Sequence, residues 1–313
     1  MYYPSWTVSR LLARLLLAAL VSGPLLAQES PTLAKIRQTG LVVIGHRIGS
    51  VPFSYLDGQL KPVGYSMDLC HRVIAAIAAQ LKLPDLQVKL IAVTPATRMP
   101  LVANGTVDLE CGVTTNTLGR QKNQSFTVTT YVAQSRLLAK KSSRIQSLQD
   151  LRGQTVVSTL STTNIRFLHE ANARDHLDMK ILAGKDDAES FQMVETDRAV
   201  AFVMDDVLLY SLVANAHNPA DYAISGEVLS VEPYAIGLSK NDPKFKQLVD
   251  AVLTDLFTRG DIQAIYRKWF QSPIPPHGIN LQLPMSAALQ RTLASPTDSV
   301  DPQRYQASES ARQ

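Results

Sequence analysis

Residues 41–81 read LVVIGHRIGSVPFSYLDGQLKPVGYSMDLCHRVIAAIAAQL and hold the pattern that decides the fold. The apolar run at 41–45 predicts a short buried strand. Beyond a polar loop, apolar residues recur every four positions, which is the spacing of one helix face: Tyr65, Leu69, Val73, Ile77 and Leu81. The stretch therefore predicts a strand, a loop and an amphipathic helix.

Strands and helices keep alternating on both sides of a central break. Before the break we predict strands at 88–93 and 107–112, with a helix between them that ends near Asn104 and Gly105. After the break we predict three more strands, each followed by helical sequence, at 155–158, 180–182 and 199–204. This alternation predicts an α/β fold with mainly parallel sheets, divided into two lobes.

Two extended segments connect the lobes in this interpretation. Residues 131–140 and 232–239 are rich in strand-forming residues and predict a two-strand hinge, with a ligand cleft between the lobes. Helical stripes at 245–256 and 262–269 are expected to pack back onto the first lobe. The predicted organisation is lobe 1 at 32–133 and 237–284, lobe 2 at 134–236 with a hinge strand at each end, and a polar, disordered tail at 285–313.

The first 27 residues have the pattern of an export signal. Arg10 and Arg14 accompany an apolar run at 11–26 that ends in the small residue Ala27, so we predict a signal peptide cleaved near Ala27. A transmembrane anchor is the competing interpretation, but Arg14 and Pro24 interrupt the run, which falls short of about 20 clean apolar residues. We therefore expect a periplasmic protein.

Composition excludes several classes of protein. The net charge is +4, and removal of Arg10 and Arg14 with the leader leaves +2, so we expect no nucleic-acid partner. Cys70 and Cys111 make neither a disulfide scaffold nor a zinc motif, and their pairing stays open. Phosphate-loop, dinucleotide, hydrolase and metalloprotease motifs are absent, so we expect neither a metal nor a cofactor. We also expect a monomer.

The segment 111–121, CGVTTNTLGRQ, places hydroxyl residues after a predicted strand and an arginine a few positions later. Backbone N–H groups and a threonine hydroxyl can donate hydrogen bonds to a carboxylate, and a guanidinium offers a bidentate fork. The segment alone is compatible with a carboxylate-binding loop. Taken alone, it fits a helix cap beside a surface arginine better.

Several motifs, taken in order, resemble family 3 of the bacterial solute-binding proteins. They are GHR at 45–47, VPFSY at 51–55, GYSMD at 64–68, TTN at 114–116, Arg120, FVMDD at 202–206 and IYRKWF at 265–270. The resemblance extends over residues 32–280 and is greatest to the glutamate/aspartate-binding subgroup. It implies a two-lobed periplasmic-binding-protein fold of type II.

The resemblance also implies how an amino acid's common atoms are held. Arg120 would bind the α-carboxylate with the help of Thr115 and, from the second lobe, Thr162 and Thr163. Two further groups would receive the α-ammonium, namely the carboxylate of Asp205 and the backbone carbonyl of Val113. For Asp205 the alternative is a helix cap, since Asp206 also follows the strand.

In the side-chain pocket this chain keeps two arginines of the subgroup and departs from it at three other positions. Arg47 and Arg98 match the arginines that meet the ligand's second carboxylate. Pro95 and Val113 stand where the subgroup has serine, and Asp187 stands where it has histidine. Asp187 would either oppose an acidic ligand beside the two arginines, or cap the helix that follows and face solvent.

The function implied by the resemblance is capture of an L-amino acid for an ABC permease in the inner membrane, with glutamate or aspartate favoured. A neutral or other polar amino acid is one alternative. A second alternative is an exported dehydratase-like enzyme on the same fold, with Asp187 or Glu189 as its acid or base. We expect a binding protein that is not an enzyme and that closes by hinge motion.

Overall fold

The structure is a computed structural model, and it describes residues 29–306. The strands are β1 Leu41–His46, β2 Gly49–Ser50, β3 Ser54–Leu56, β4 Pro62–Val63, β5 Gln87–Ala92, β6 Leu109–Glu110, β7 Gln124–Phe126, β8 Tyr131–Lys140, β9 Thr155–Thr159, β10 Lys180–Gly184, β11 Ala201–Asp205, β12 Tyr222–Ile224, β13 Ser230–Tyr234 and β14 Gly237–Ser239. The helices are α1 Pro31–Thr39, α2 Tyr65–Leu81, α3 Arg98–Ala103, α4 Leu118–Gln121, α5 Thr163–Arg174, α6 Asp187–Glu195, α7 Asp206–Ala214, α8 Pro243–Thr258, α9 Ile262–Phe270 and α10 Ala287–Ala294. Short 3₁₀ turns lie at Lys141–Ser143, Leu148–Leu151, Pro219–Asp221 and Pro302–Tyr305.

Two large sheets form the centres of two lobes. The first has the strand order β5-β1-β6-β14-β7, in which β1 pairs in parallel with β5 and β6 while β14 is antiparallel to its neighbours. The second has the order β10-β9-β11-β8-β12, with β9 parallel to β10 and β11. The predicted α/β fold is therefore correct, although antiparallel strands complete both sheets.

The chain crosses between the two sheets twice, at 127–130 and at 235–236. Strand β8 belongs to the second sheet and pairs with β13, whereas β14 belongs to the first. The two crossings lie side by side, because Thr130 N–H donates to the Tyr234 carbonyl at 2.8 Å and Thr127 N–H donates to the Ile236 carbonyl at 3.1 Å. Two crossings are present as expected, but the first lies before residues 131–140, which form β8 within the second sheet.

An aromatic cluster anchors the first lobe to the hinge. Phe53 lies edge-on to Tyr131 with ring centroids 4.9 Å apart, and Tyr131 stacks on Phe270 at 5.3 Å. Gly64 admits this packing, since at φ 135° an added Cβ would lie 2.2 Å from the Phe53 carbonyl oxygen. Helix α9 is thereby held against the first lobe, as the apolar stripe predicts.

Cys70 and Cys111, whose pairing the sequence left open, form a disulfide with their Cα atoms 6.3 Å apart. Cys70 lies in α2, and Cys111 directly follows β6. The bond therefore fixes the start of the loop 111–117 to the main helix of the first lobe.

The expectation of a poorly ordered tail from residue 285 is wrong up to residue 306. Helix α10 buries Leu289 and Leu293, and the buried Tyr305 follows it. The tail returns to the hinge, where Thr129 N–H donates to the Thr297 carbonyl at 2.7 Å. Few apolar residues suffice because their spacing places them on one helix face. Residues 307–313 lie outside the described part of the chain.

The predicted signal peptide at 1–27 also lies outside the described residues. Across 29–306, no helix combines the length and the apolar character needed to cross a membrane.

Candidate functional site

A cleft between the lobes gathers most of the residues that the sequence proposed. Eight of the nine line it, four from the first lobe and four from the second: Arg47, Arg98, Val113, Thr115, Thr162, Thr163, Asp187 and Asp205. Asn164, Met204 and Leu208 complete the lining. The ninth, Arg120, adjoins the cleft through its bond to Thr115.

The topology explains why these residues meet. Arg47 follows β1, the loop from Val113 follows β6, and the helices that begin at Thr163 and Asp187 follow β9 and β10. Carboxyl ends of parallel strands meet at one edge of a sheet, and the edges of the two sheets face each other here. Ligand sites of α/β proteins commonly lie at such edges.

Arg98 and Arg47 give the cleft buried positive charge. Arg98 is 3% exposed, its Nη1 donates to the Val113 carbonyl at 2.9 Å, and no acceptor among the described residues reaches its Nε. Burial, reinforced by the positive charge of Arg120, lowers the pKa of Arg98 to about 9. Arg47 is buried as well, and no ion pair holds it among residues 29–306. The buried carboxylates of Glu110 and Asp187 offset part of this positive charge at Arg98 without forming an ion pair in the described chain, so the guanidinium donors remain for an anionic ligand.

Arg120 connects the two lobes at the edge of the cleft. Its Nη1 donates to the Thr115 carbonyl at 2.8 Å, and its Nη2 approaches the Ser161 carbonyl at 3.4 Å. Burial lowers its pKa, although the charge of Glu232 acts in the opposite direction. A guanidinium has five N–H donors, so these two bonds leave donors for a ligand.

The N-terminus of α5 enters the cleft from the second lobe, and its threonine hydroxyls are already engaged. Thr162 Oγ1 accepts from Ile165 N at 3.2 Å and donates to the Thr159 carbonyl at 2.6 Å. Thr163 Oγ1 donates to Glu232 Oε2 at 2.7 Å. What this helix offers an anion is therefore mainly its first backbone N–H groups and its dipole.

Asp205 is the buried acid opposite these cations. Asn164 Nδ2 donates to its Oδ1 at 2.9 Å, and the Tyr234 hydroxyl donates to its Oδ2. Burial and then the charge of Glu232 raise the pKa of Asp205 to about 8. The helix-cap alternative is wrong for its side chain, because no capping bond forms and Asp206 accepts from Val207 N instead.

Asp187 also faces the cleft rather than solvent. Asp186, not Asp187, caps α6 by accepting from Glu189 N at 2.8 Å. Asp187 is 6% exposed, and Thr159 Oγ1 donates to its Oδ1 at 2.8 Å. The solvent-facing alternative is therefore wrong, and Asp187 shares the pocket with Arg47 and Arg98.

Comparison with known proteins identifies the family. Residues 42–272 match the model of the bacterial extracellular solute-binding proteins, family 3. The chain belongs to this family.

Two relatives are named for acidic amino acids. The L-glutamate/L-aspartate-binding protein of Pseudomonas aeruginosa is 47% identical over 290 residues, which cover 92% of this chain and 96% of the relative. The glutamate/aspartate import solute-binding protein of Salmonella typhimurium is 44% identical, over 85% of this chain and 88% of the relative.

Solved structures show the same architecture. An ancestral arginine-binding protein bound to glutamine is 25% identical with a TM-score of 0.65, and 74% of this chain covers 98% of it. An ancestral amino-acid-binding protein described as a precursor of cyclohexadienyl dehydratase is 25% identical with a TM-score of 0.64, over 78% of this chain and all of that one. The family 3 chain thus has the two-lobed fold of type II expected from its sequence.

Two buried polar groups at the site were missed by the sequence reasoning. Asn164 donates a hydrogen bond to Asp205. Its position in the first turn of α5, directly after two threonines, was the sequence signal that could have identified it. Glu110 is 1% exposed, and neither carboxylate oxygen has a partner among the described residues. Its side chain lies against Gly112, because a Cβ added at that glycine would be 2.2 Å from Glu110 Oε1 and 3.1 Å from Arg47 Cγ. A charged residue inside an apolar strand was the sign in that case.

Proposed function

We propose that this family 3 protein is the substrate-binding subunit of an amino-acid ABC importer and that it captures glutamate or aspartate. The observation that carries the proposal is an interlobe cleft in which the buried cations Arg47 and Arg98 face the buried acid Asp205. An acidic amino acid has the matching charges on one small molecule. The names of the two relatives, each more than 40% identical, support the same ligand class.

The ligand's α-carboxylate is proposed to lie between Arg120 and the N-terminus of α5, and its ammonium beside Asp205. The Val113 carbonyl already accepts one bond from Arg98, and its second lone pair remains for the ammonium. The second carboxylate extends toward Arg47 and Arg98. Each charged group then meets an opposite charge, although Asp187 borders the second carboxylate and offsets part of its gain from the two arginines.

Closure of the hinge supplies the affinity in this proposal. A ligand that first meets Arg120 and Thr115 on one lobe gains Asp205 and α5 only when the other lobe arrives. Charge-assisted hydrogen bonds contribute about 1.5 to 3 kcal/mol each. Several of them, less the cost of ordering and closure, correspond to about 8 kcal/mol and a micromolar dissociation constant.

Capture without turnover is the second part of the proposal. The fold is shared with a precursor of a dehydratase, but an intact acceptor for the ammonium at Asp205 favours an amino acid that leaves unchanged. Asp187 and Glu189 are the two candidate acids or bases. Glu189 is engaged elsewhere, because its carboxylate accepts a hydrogen bond from Lys185 N at 2.6 Å. Export to the periplasm, a monomeric state and docking of the closed form on a permease belong to the same proposal.

A thermal-shift screen of the twenty amino acids tests the proposal on the mature protein. Ligand at about 100 times its dissociation constant stabilises the native state by about 2.7 kcal/mol, which is a readily measured rise in melting temperature. We expect the largest rises with L-glutamate and L-aspartate and none with their D-enantiomers. A flat screen would exclude amino-acid capture.

A further inference from the structure

Asp187 introduces an acceptor into the part of the cleft that holds the side-chain arginines. Its carboxylate lines the same pocket as Arg47 and Arg98, yet no ion pair joins it to either one among the described residues. Burial lowers the pKa of Arg98, and the negative charges of Glu110 and then Asp187 act against that effect, so Asp187 is close enough to Arg98 to influence it electrostatically.

The hydrogen-bond capacity of Asp187 is only partly used. Thr159 Oγ1 donates to Oδ1, and Thr159 also contacts Ser190 Oγ at 3.1 Å, which orients its hydroxyl. No donor among residues 29–306 reaches Asp187 Oδ2. An ionised carboxylate has about four acceptor positions, so a free acceptor remains beside the free guanidinium donors.

The surroundings of Asp187 on its other side supply no competing cation. A second small cavity borders it there, and its lining contains no lysine, arginine or histidine: Gly49, Val51, Leu208, Ser211, Leu212 and Asn215. Of the two described cavities that Asp187 borders, only the cleft therefore brings cations to it.

A pocket with adjacent donors and an acceptor can hold a primary amide as well as a second carboxylate. A carboxylate only accepts, so it would satisfy the arginines and be repelled by Asp187. An amide accepts through its oxygen and donates through its nitrogen, so it satisfies both. A site with a buried acceptor also discriminates against a ligand that leaves this acceptor unpaired.

We propose that the side-chain end of this cleft binds the amide of glutamine or asparagine as well as a carboxylate, with the amide nitrogen donating to Asp187 and the amide oxygen accepting from Arg98 or Arg47. The proposal rests on the proposed function, since it places the ligand's α-carbon groups at Arg120 and Asp205. It extends that function from acidic amino acids to their amides.

Isothermal titration of glutamate, aspartate, glutamine and asparagine into the ligand-free mature protein tests this inference. We expect glutamine to bind within about tenfold of glutamate. Asp187→Asn keeps an oxygen for the Thr159 hydroxyl and so preserves the fold. It removes the negative charge, so the ratio of glutamate to glutamine affinity should rise by about tenfold or more.

Asp186→Asn is the matched control. It removes one negative charge from the adjacent residue of the same helix, and asparagine caps helices as well as aspartate does. The affinity ratio should not change in this variant. A shift as large as that of Asp187→Asn would overturn the inference, because it would reflect general charge at the end of α6.

The remaining outcomes distinguish failure of this inference from failure of the proposed function on which it rests. Binding of glutamate and aspartate without binding of either amide at about 1 mM would overturn the inference and leave acidic-amino-acid capture standing. An unchanged ratio in Asp187→Asn would remove the assigned role of Asp187. Absence of binding by all four ligands would contradict both proposals.

Discussion

Arg98 combines deep burial with a guanidinium that only a backbone carbonyl partly satisfies. Such a group opposes folding unless an anion meets it, because the desolvation of a charge costs several kcal/mol. Arg120, by contrast, bonds carbonyls on both lobes. The proposed function accordingly gives the two arginines different roles, one for the ligand's side chain and one for the carboxylate that all amino acids share.

The variants Arg98→Met and Arg120→Met should separate these two roles. Methionine fills a similar volume without charge, so Arg98→Met should lower glutamate affinity by about tenfold to a hundredfold, the scale of a lost charged hydrogen bond, and lower glutamine affinity less. Arg120→Met should weaken both ligands alike. Titration calorimetry measures the ratios, and circular dichroism checks that each variant is folded. Equal losses of the two ligands in Arg98→Met would reject the assigned side-chain pocket.

Asp205 predicts a specific pH dependence of stability in the empty protein. Its folded pKa of about 8 exceeds the ordinary value of 3.8, so between these pH values the folded state holds a proton that the unfolded state releases. This contribution is therefore greatest below about pH 4 and is lost as pH rises to 8. Melting temperatures from pH 5 to 9 should fall less steeply in Asp205→Asn than in the wild type.

Glu232→Gln refines the same experiment. Removal of the neighbouring negative charge lowers the pKa of Asp205, so the loss of stability should move to lower pH. A ligand ammonium should likewise ionise Asp205, and binding near pH 7 should release protons into the buffer. Identical pH profiles for the wild type and Asp205→Asn would contradict this account of the buried acid.

Residue types at the cleft were predictable, but the orientation of one of them was not. A zwitterion needs fixed charges of both signs, which made Arg120 and Asp205 recognisable in a matching sequence. Asp186 and Asp187 are both acidic and both lie at a helix start, where either can cap. Only the backbone geometry, which makes Asp186 the cap, turns Asp187 inward.

At the scale of elements, the loop after β6 is held from two sides. The disulfide joins its first residue to α2, and Asn116 N–H donates to the Pro233 carbonyl at 2.8 Å in β13 of the second sheet. The loop that carries Val113 and Thr115 is thus held by contacts to both lobes.

Removal of the disulfide should lower stability without abolishing the site. The bond joins residues 41 positions apart, and closure of a loop of that length is worth about 4 kcal/mol in the chain-entropy model. The Cys70→Ser/Cys111→Ser double variant should unfold at lower denaturant and bind ligand more weakly at most by a small factor. Chemical denaturation with and without reductant checks the change, and equal midpoints would show that the bond contributes nothing.

Elements with long periodic patterns were predictable, and elements set by distant contacts were not. Helix α2 occupies residues 65–81 as its four-residue spacing predicts. Strand β6 is shorter than the predicted 107–112, although Asp108 N–H and Cys111 N–H still bond to β1 carbonyls on either side of it. The prediction of a disordered tail is wrong for a different reason. Leu289, Leu293 and Tyr305 pack against the hinge and α8, and these contacts join segments that are far apart in sequence.

At the scale of the whole molecule, the proposed capture of a ligand uses both lobes. Each lobe is built on one sheet, the paired crossings join the lobes, and the cleft lies between them. The first lobe supplies side-chain arginines and the loop with Thr115, and the second supplies Asp205 and the N-terminus of α5. In the proposed site, the arginines come from the first lobe and the carboxylate that receives the ammonium comes from the second. The proposal therefore couples binding to closure, since the full set of contacts needs both lobes.

Calorimetric titration of L-glutamate into mature protein, freed of carried-over ligand by unfolding and refolding, tests this central claim most directly. We predict one site per chain, a dissociation constant of about 1 μM or tighter, and glutamate recovered unchanged by chromatography after the titration. No heat for glutamate or for any other amino acid, or recovery of a chemically altered ligand, would contradict the account.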